Sequence, residues 1–173
     1  MDIRAILSKV DHTLLRPDCT RAEIEALCRE AAEFGTASVC LPPVYVARAA
    51  EILEGKVPVC TVVGFPNGYD ATASKVFQAR RALEDGALEI DMVIHIGAVK
   101  EGRYEDVLRE IRAVKEACGE RILKVIIETA LLTREEKTAL CRVVTESGAD
   151  FIKTSTGFAG SGATFEDVRL IAQ

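Results

Sequence analysis

The chain has 173 residues, 49% of them hydrophobic and 28% charged, a balance that excludes disordered and fibrous classes and fits a globular domain with a sizeable core. Its net charge of -5 comes from interleaved acidic and basic residues, so no basic stripe is available to a phosphate backbone and no nucleic-acid partner is expected. No apolar run approaches the roughly 18 residues of a membrane span, and Met1-Asp2-Ile3-Arg4 lacks the start of a signal peptide, so the expectation is a cytoplasmic protein without a membrane partner.

In chain order, short runs rich in Val, Ile and Leu alternate with longer amphipathic segments. A strand over Lys9–Leu14 precedes a helix over Arg21–Phe34, and a strand over Ala37–Leu41 precedes a helix over Val44–Glu54. The strand Val57–Val63 leads to the helix Thr72–Asp85, the strand Glu89–His95 to the helix Tyr104–Ala117, and the strand Ile122–Ile127 to the helix Arg134–Ser147. A last strand, Asp150–Thr154, is followed by an amphipathic segment beginning near Thr164. Thr20 is suited to cap the first long helix, Thr133 with Glu136 forms a capping-box pattern, and Gly35, Gly55, Gly86, Gly119 and Gly148 are placed to stop successive helices.

No Pro- or Ser-rich linker interrupts this pattern, which predicts one domain over residues 1–173. Strict alternation at a repeat of roughly thirty residues is the signature of parallel βα units and an α/β fold. A closed eight-stranded barrel and an open doubly wound sheet both fit. The first βα turn, His12-Thr13-Leu14-Leu15-Arg16-Pro17, carries no dinucleotide-binding glycine pattern and argues against a nucleotide-binding sheet.

The six cysteines, Cys19, Cys28, Cys40, Cys60, Cys118 and Cys141, form no C-x-x-C pair and read as buried thiols of a reducing compartment. His12 and His95 are the only histidines, too few for a recognisable multi-histidine site, so a metal-dependent mechanism is disfavoured. Charges inside the apolar strands carry more information, because both faces of a parallel sheet are normally covered. Asp11, Asp91, Lys124 and Lys153 are such residues. Each alone is also open to reading as a strand-end charge reaching solvent or as a structural ion pair.

Together, two lysines and two aspartates at a barrel's interior would suit proton transfer and amine chemistry. A free lysine, with a pKa of about 10.4, is unprotonated only about once in ~10³ molecules near neutral pH, and burial or a neighbouring cation shifts that balance toward the nucleophilic amine. Lys124 is the candidate cation beside Lys153, and Asp91 the candidate proton shuttle for a carbinolamine.

The segment Phe151-Ile152-Lys153-Thr154-Ser155-Thr156-Gly157-Phe158 resembles the Schiff-base lysine segment of the deoxyribose-phosphate aldolases. Val10-Asp11-His12-Thr13-Leu14-Leu15, Val39-Cys40-Leu41-Pro42-Pro43, Gly64-Phe65-Pro66-Asn67-Gly68, Glu89-Ile90-Asp91-Met92-Val93-Ile94 and Leu123-Lys124-Val125-Ile126-Ile127-Glu128-Thr129 resemble that family's segments in the same order. The resemblance implies a class I, cofactor-free aldolase of TIM (β/α)8-barrel type. Such an enzyme reversibly cleaves 2-deoxy-D-ribose 5-phosphate to acetaldehyde and D-glyceraldehyde 3-phosphate. It implies that Lys153 forms the imine, that Asp91 transfers protons, that Lys124 is an active-site cation, and that Asp11, Cys40, Thr154, Ser155 and Gly157 contact the sugar phosphate or aldehyde.

About six βα units are legible before Gln173, whereas family members continue with a seventh strand bearing a second catalytic lysine and an eighth with a glycine-rich phosphate-binding turn. The expectation is an incomplete barrel, with exposed strand edges that favour a homo-oligomer or a complementing chain and with weakened phosphate binding. Gly157-Phe158-Ala159-Gly160-Ser161-Gly162 is a candidate replacement for the phosphate turn or a plain flexible loop. His95, where the family pattern more often has asparagine, shares its strand parity with Asp91 and is expected on the same face, first as a satisfied strand-end histidine and otherwise as a group that alters proton transfer. Two further readings stay open: a catalytically impaired remnant serving as an assembly or ligand-binding module, and a Schiff-base aldolase of different substrate, such as a transaldolase.

Overall fold

A computed structural model describes residues 2–173, so Met1, where the N-terminal reading begins, lies outside the described residues. Among the described residues there are six strands: β1 (Asp11–Thr13), β2 (Ser38–Leu41), β3 (Val59–Val63), β4 (Glu89–Val93), β5 (Ile122–Ile126) and β6 (Phe151–Lys153). The helices are α1 (Ile3–Leu7), α2 (Arg21–Phe34), α3 (Val46–Leu53), α4 (Thr72–Glu84), α5 (Ile96–Lys100), α6 (Tyr104–Cys118), α7 (Arg134–Ser147) and α8 (Phe165–Ile171). Strands neighbour one another in chain order, as successive βα crossovers dictate.

The described chain divides into two compact units, the first formed by residues 2–62 with Arg81–Ile90. Here β1 and β2 are parallel, with Asp11 beside Ser38 and Thr13 beside Cys40, and β2 and β3 continue the register with Cys40 beside Cys60. Helix α2 packs on α3 and β2 through Ile24, Leu27, Cys28 and Ala31, the three- and four-residue spacing of one helical face. Each large aliphatic side chain so buried stabilises the fold by roughly 1.5–3 kcal/mol. Thr20 and Glu23 form a capping box at the start of α2, and Gly35 ends it with φ +67°. These local signals match the expected limits of that helix.

Several boundaries differ from expectation, two of them in this unit for local reasons. The strand expected over Lys9–Leu14 shrinks to Asp11–Thr13, because the N–H groups of Lys9 and Val10 donate to Ile6 (2.9 Å) and Leu7 (3.0 Å) and close α1. The helix expected over Val44–Glu54 opens as a 3-10 turn over Pro43–Tyr45 and ends at Leu53, capped by Glu54 at φ +47°, one residue before the glycine expected to stop it.

The second unit holds Val63–Arg80 and Asp91–Gln173. Helix α6 packs on α7, α5 and β5, burying Val107, Leu108, Ile111 and Val114. Thr133 and Glu136 form the expected capping box of α7, which Gly148 ends at φ +81°. Strand β5 is parallel to β6, with Lys124 beside Phe151 and Ile126 beside Lys153. β6 begins at Phe151, one residue later than expected, and Asp150 before it accepts the N–H of Leu123 (2.8 Å) and the amine of Lys115 (2.7 Å) on its carboxylate.

No disulfide joins the cysteines, and all but Cys141 are buried. Burial pushes the Cys118 thiol up from 9.0 to about 11. Below about pH 9 the thiol is protonated whether the chain is folded or not. Between about pH 9 and 11 only the unfolded chain loses that proton, so stability falls as pH rises, by about 3 kcal/mol at most. Urea unfolding of Cys118→Ala and the parent across that window is expected to show a shallower loss of stability in the variant.

Candidate active site

Alternate residues of a parallel strand share a face, and this decides which side chains of the second unit meet. Lys124 and Ile126 share a face of β5, and Lys153 stands beside Ile126 in the register, so the two lysines project from the same side two residues apart. Asp91, in the middle of β4, is buried. Its Oδ2 accepts a hydrogen bond from the Lys153 amine, and its Oδ1 lies 3.4 Å from Lys124 Nζ. One carboxylate therefore bridges two lysines. The side chain of Lys124 is only 9% exposed and that of Lys153 is 32% exposed. The lysine at the strand end is the one a small carbonyl compound can reach.

The chain after Lys153 is held by the turn after β5. The Thr129 N–H donates to the Thr154 carbonyl at 2.8 Å, and the Glu128 carboxylate accepts the Thr156 N–H at 3.1 Å and the Thr156 hydroxyl. Glu128 is buried and sits at φ +54°, a conformation sparsely populated by residues other than glycine. The Ser155 hydroxyl, two residues beyond Lys153, is buried with no hydrogen-bond partner, as is Glu128 Oε1. Gly157 is exposed with φ +86°. The next residue, Phe158, meets Phe65 edge to face with ring centroids 5.4 Å apart. A cavity of about 180 Å³ lies here, lined by Pro66, Asn67, Tyr69, Glu128, Thr156 and Phe158.

Asp11 and Cys40 belong to the first unit. The Ser38 hydroxyl donates to Asp11 at 2.8 Å, and Cys40 is fully buried between Thr13 and Cys60.

His95 departs from expectation. Strand β4 ends at Val93 and His95 caps α5, so strand parity does not extend to it. Its N–H donates to Glu110 at 3.0 Å, and it lines a cavity of about 480 Å³ with Thr72, Arg103, Asp106 and Arg109. The Ser161 and Gly162 end of the glycine-rich segment lines another cavity with Arg134 and Lys137, but those cations are paired with Glu166 (2.8 Å) and Asp167 (2.6 Å).

Sequence reasoning singled out neither Lys75 nor Glu110, a fully enclosed ion pair at 2.8 Å. Glu110 left a signal, since it sits on the apolar stripe of Val107, Ile111 and Val114. Lys75 left none, because a lysine in a helix is normally solvated.

Residues 5–173 match the DeoC/LacD family of aldolases. The chain is 54% identical over all 173 residues to the deoxyribose-phosphate aldolase of Streptococcus pyogenes serotype M28, and spans 78% of that protein. Among solved structures, the tetrameric deoxyribose phosphate aldolase of Aeropyrum pernix superposes with a TM-score of 0.88 at 32% identity, over 98% of this chain and 72% of that one. The aldolase QR15 superposes with a TM-score of 0.93 at 40% identity, over 96% of this chain and 75% of that one. The fold is thus α/β of TIM-barrel type, with six βα units in this chain. Among the described residues no helix is long and apolar enough to cross a membrane. Whole-chain identity, superposition and the lysine-carboxylate-lysine cluster lead to one assignment: the chain belongs to the DeoC/LacD aldolase family.

Proposed function

We propose that the site catalyses reversible retro-aldol cleavage of 2-deoxy-D-ribose 5-phosphate through an imine on Lys153. The observation that carries the reading is the bridging of Asp91 between the amines of Lys153 and Lys124. The neutral Lys153 amine attacks C1 of the open-chain sugar, and Asp91 relays a proton to the carbinolamine oxygen, which leaves as water. Lys124 is the active-site cation beside the other oxygen of the Asp91 carboxylate.

The protonated imine is the electron sink. Loss of the C3 hydroxyl proton breaks the C2–C3 bond, releasing D-glyceraldehyde 3-phosphate and leaving an enamine on Lys153. Protonation of the enamine at C2 and hydrolysis of the resulting imine release acetaldehyde and regenerate the amine. Thr154, Ser155 and Gly157, adjoining the amine in sequence, serve as substrate contacts. The identity to deoxyribose-phosphate aldolases over the whole chain favours this substrate over a transaldolase-type one, and a cytoplasmic homo-oligomer is the form in which we expect it to act.

Acetaldehyde release measured with phosphorylated and unphosphorylated 2-deoxyribose tests the assignment. The expected result is turnover of the phosphorylated sugar, undiminished by a chelator because the imine supplies the electron sink, with kcat/KM at least tenfold lower for the unphosphorylated sugar. Equal turnover of both sugars, or of neither, contradicts the substrate.

A further inference from the structure

We infer that Lys75 and Glu110 are positioning residues for this reaction, a buried ion pair that clamps the end of β4 and the Gly64–Gly68 loop and thereby fixes the Asp91 carboxylate against Lys153. The inference rests on the reading of Asp91 and Lys153 as the reacting pair. Lys75, in α4, is 0% exposed. Its Nζ donates to the carbonyls of Gly68 (2.6 Å) and Val93 (2.8 Å) and to Glu110 Oε1 (2.8 Å). An ammonium has three N–H donors, and here each has an acceptor, so the charged form is the one the enclosure fits. The other oxygen of Glu110 accepts the His95 N–H at 3.0 Å.

Stability is a poor account of this pair, because apolar side chains of similar volume commonly hold a fold as well as a buried ion pair does, or better. Its placement is more informative. Val93 lies two residues beyond Asp91 in β4, and the next residue, Ile94, donates to the Ile126 carbonyl of β5 at 3.2 Å. The end of the strand is thus held by β5 and by Lys75.

The loop is seated on the same point. A Cβ on Gly68 would lie 2.0 Å from the Ile94 carbonyl oxygen, and one on Gly64 would lie 2.7 Å from Lys75 Cε. Gly64 therefore makes room for the lysine and Gly68 for the end of β4, and the ammonium joins loop to strand. A carboxylate that must pass a proton between an amine and a carbinolamine works only when held to within about half an ångström, and a strand end pinned in this way supplies such support.

The test is the double variant Lys75→Met with Glu110→Leu, which removes both charges and keeps apolar volume. Reductive methylation of Lys153 by formaldehyde and cyanoborohydride at pH 8, quantified by peptide mass spectrometry, is compared with that of exposed Lys56. In the folded variant Lys153 is expected to be labelled at least threefold faster, with Lys56 unchanged, and kcat to fall at least tenfold while KM stays within threefold. An unchanged Lys153 rate in the folded variant overturns the inference. Should the double variant fail to fold, Glu110→Gln is read by the same ratio and decides in the same way. Labelling needs no turnover, so a wild-type chain that fails to cleave 2-deoxyribose 5-phosphate defeats the proposed function while the labelling ratio still judges the clamp.

Discussion

Lys153→Ala is expected to lower kcat for retro-aldol cleavage by about 10⁴-fold or more, because no other group in an imine mechanism replaces the attacking amine. Lys153→Arg is expected to be equally inactive, since a guanidinium keeps the positive charge but does not deprotonate in proteins. The arginine variant thereby separates covalent chemistry from simple charge stabilisation. Lys153 is about one-third exposed, so its removal is expected to cost only about 1–2 kcal/mol of stability, well below that of breaking a fully buried pair. Stopped-time assays of acetaldehyde release on the folded variants check both statements, and cleavage by Lys153→Arg within tenfold of the parent rules out the imine on this residue.

Asp91→Asn is expected to lower kcat by about 10²–10⁴-fold, the range of a lost proton-transfer group, with KM little changed. The imine still forms because Lys153 remains, but carbinolamine dehydration slows. This variant also carries a structural cost. The carboxylate is buried and in contact with both lysine amines, and replacing it by an amide removes the negative charge from that contact, a change worth about 3–5 kcal/mol in buried sites. Urea unfolding measured beside turnover separates the two effects. A folded Asp91→Asn with kcat within threefold of the parent assigns proton transfer elsewhere.

The strand charges were legible because a charge in a buried parallel strand is conspicuous against Val and Ile, and Asp91, Lys124 and Lys153 do meet at one carboxylate. The limits of α2 and α7 were legible because a threonine cap and a left-handed glycine mark the ends of each. Short elements were not, since the five residues of α1 or α5 span too few turns to show a period. Strand parity carried the reading of His95 past the true end of β4, where the residue caps α5. Pairings made through backbone atoms leave no residue-type pattern, so the grip of Lys75 on the Gly68 and Val93 carbonyls and the left-handed turn at Glu128 emerge only in three dimensions.

The central claim is that Lys153 is an imine-forming amine. Intact mass spectrometry after borohydride reduction in the presence of acetaldehyde, with peptide mapping of the parent and of Lys153→Ala, tests it most directly. The account predicts one reduced ethyl adduct, mapped to Lys153 in the parent and missing from the variant. An adduct on Lys124 instead, or none above the background of the variant, contradicts it.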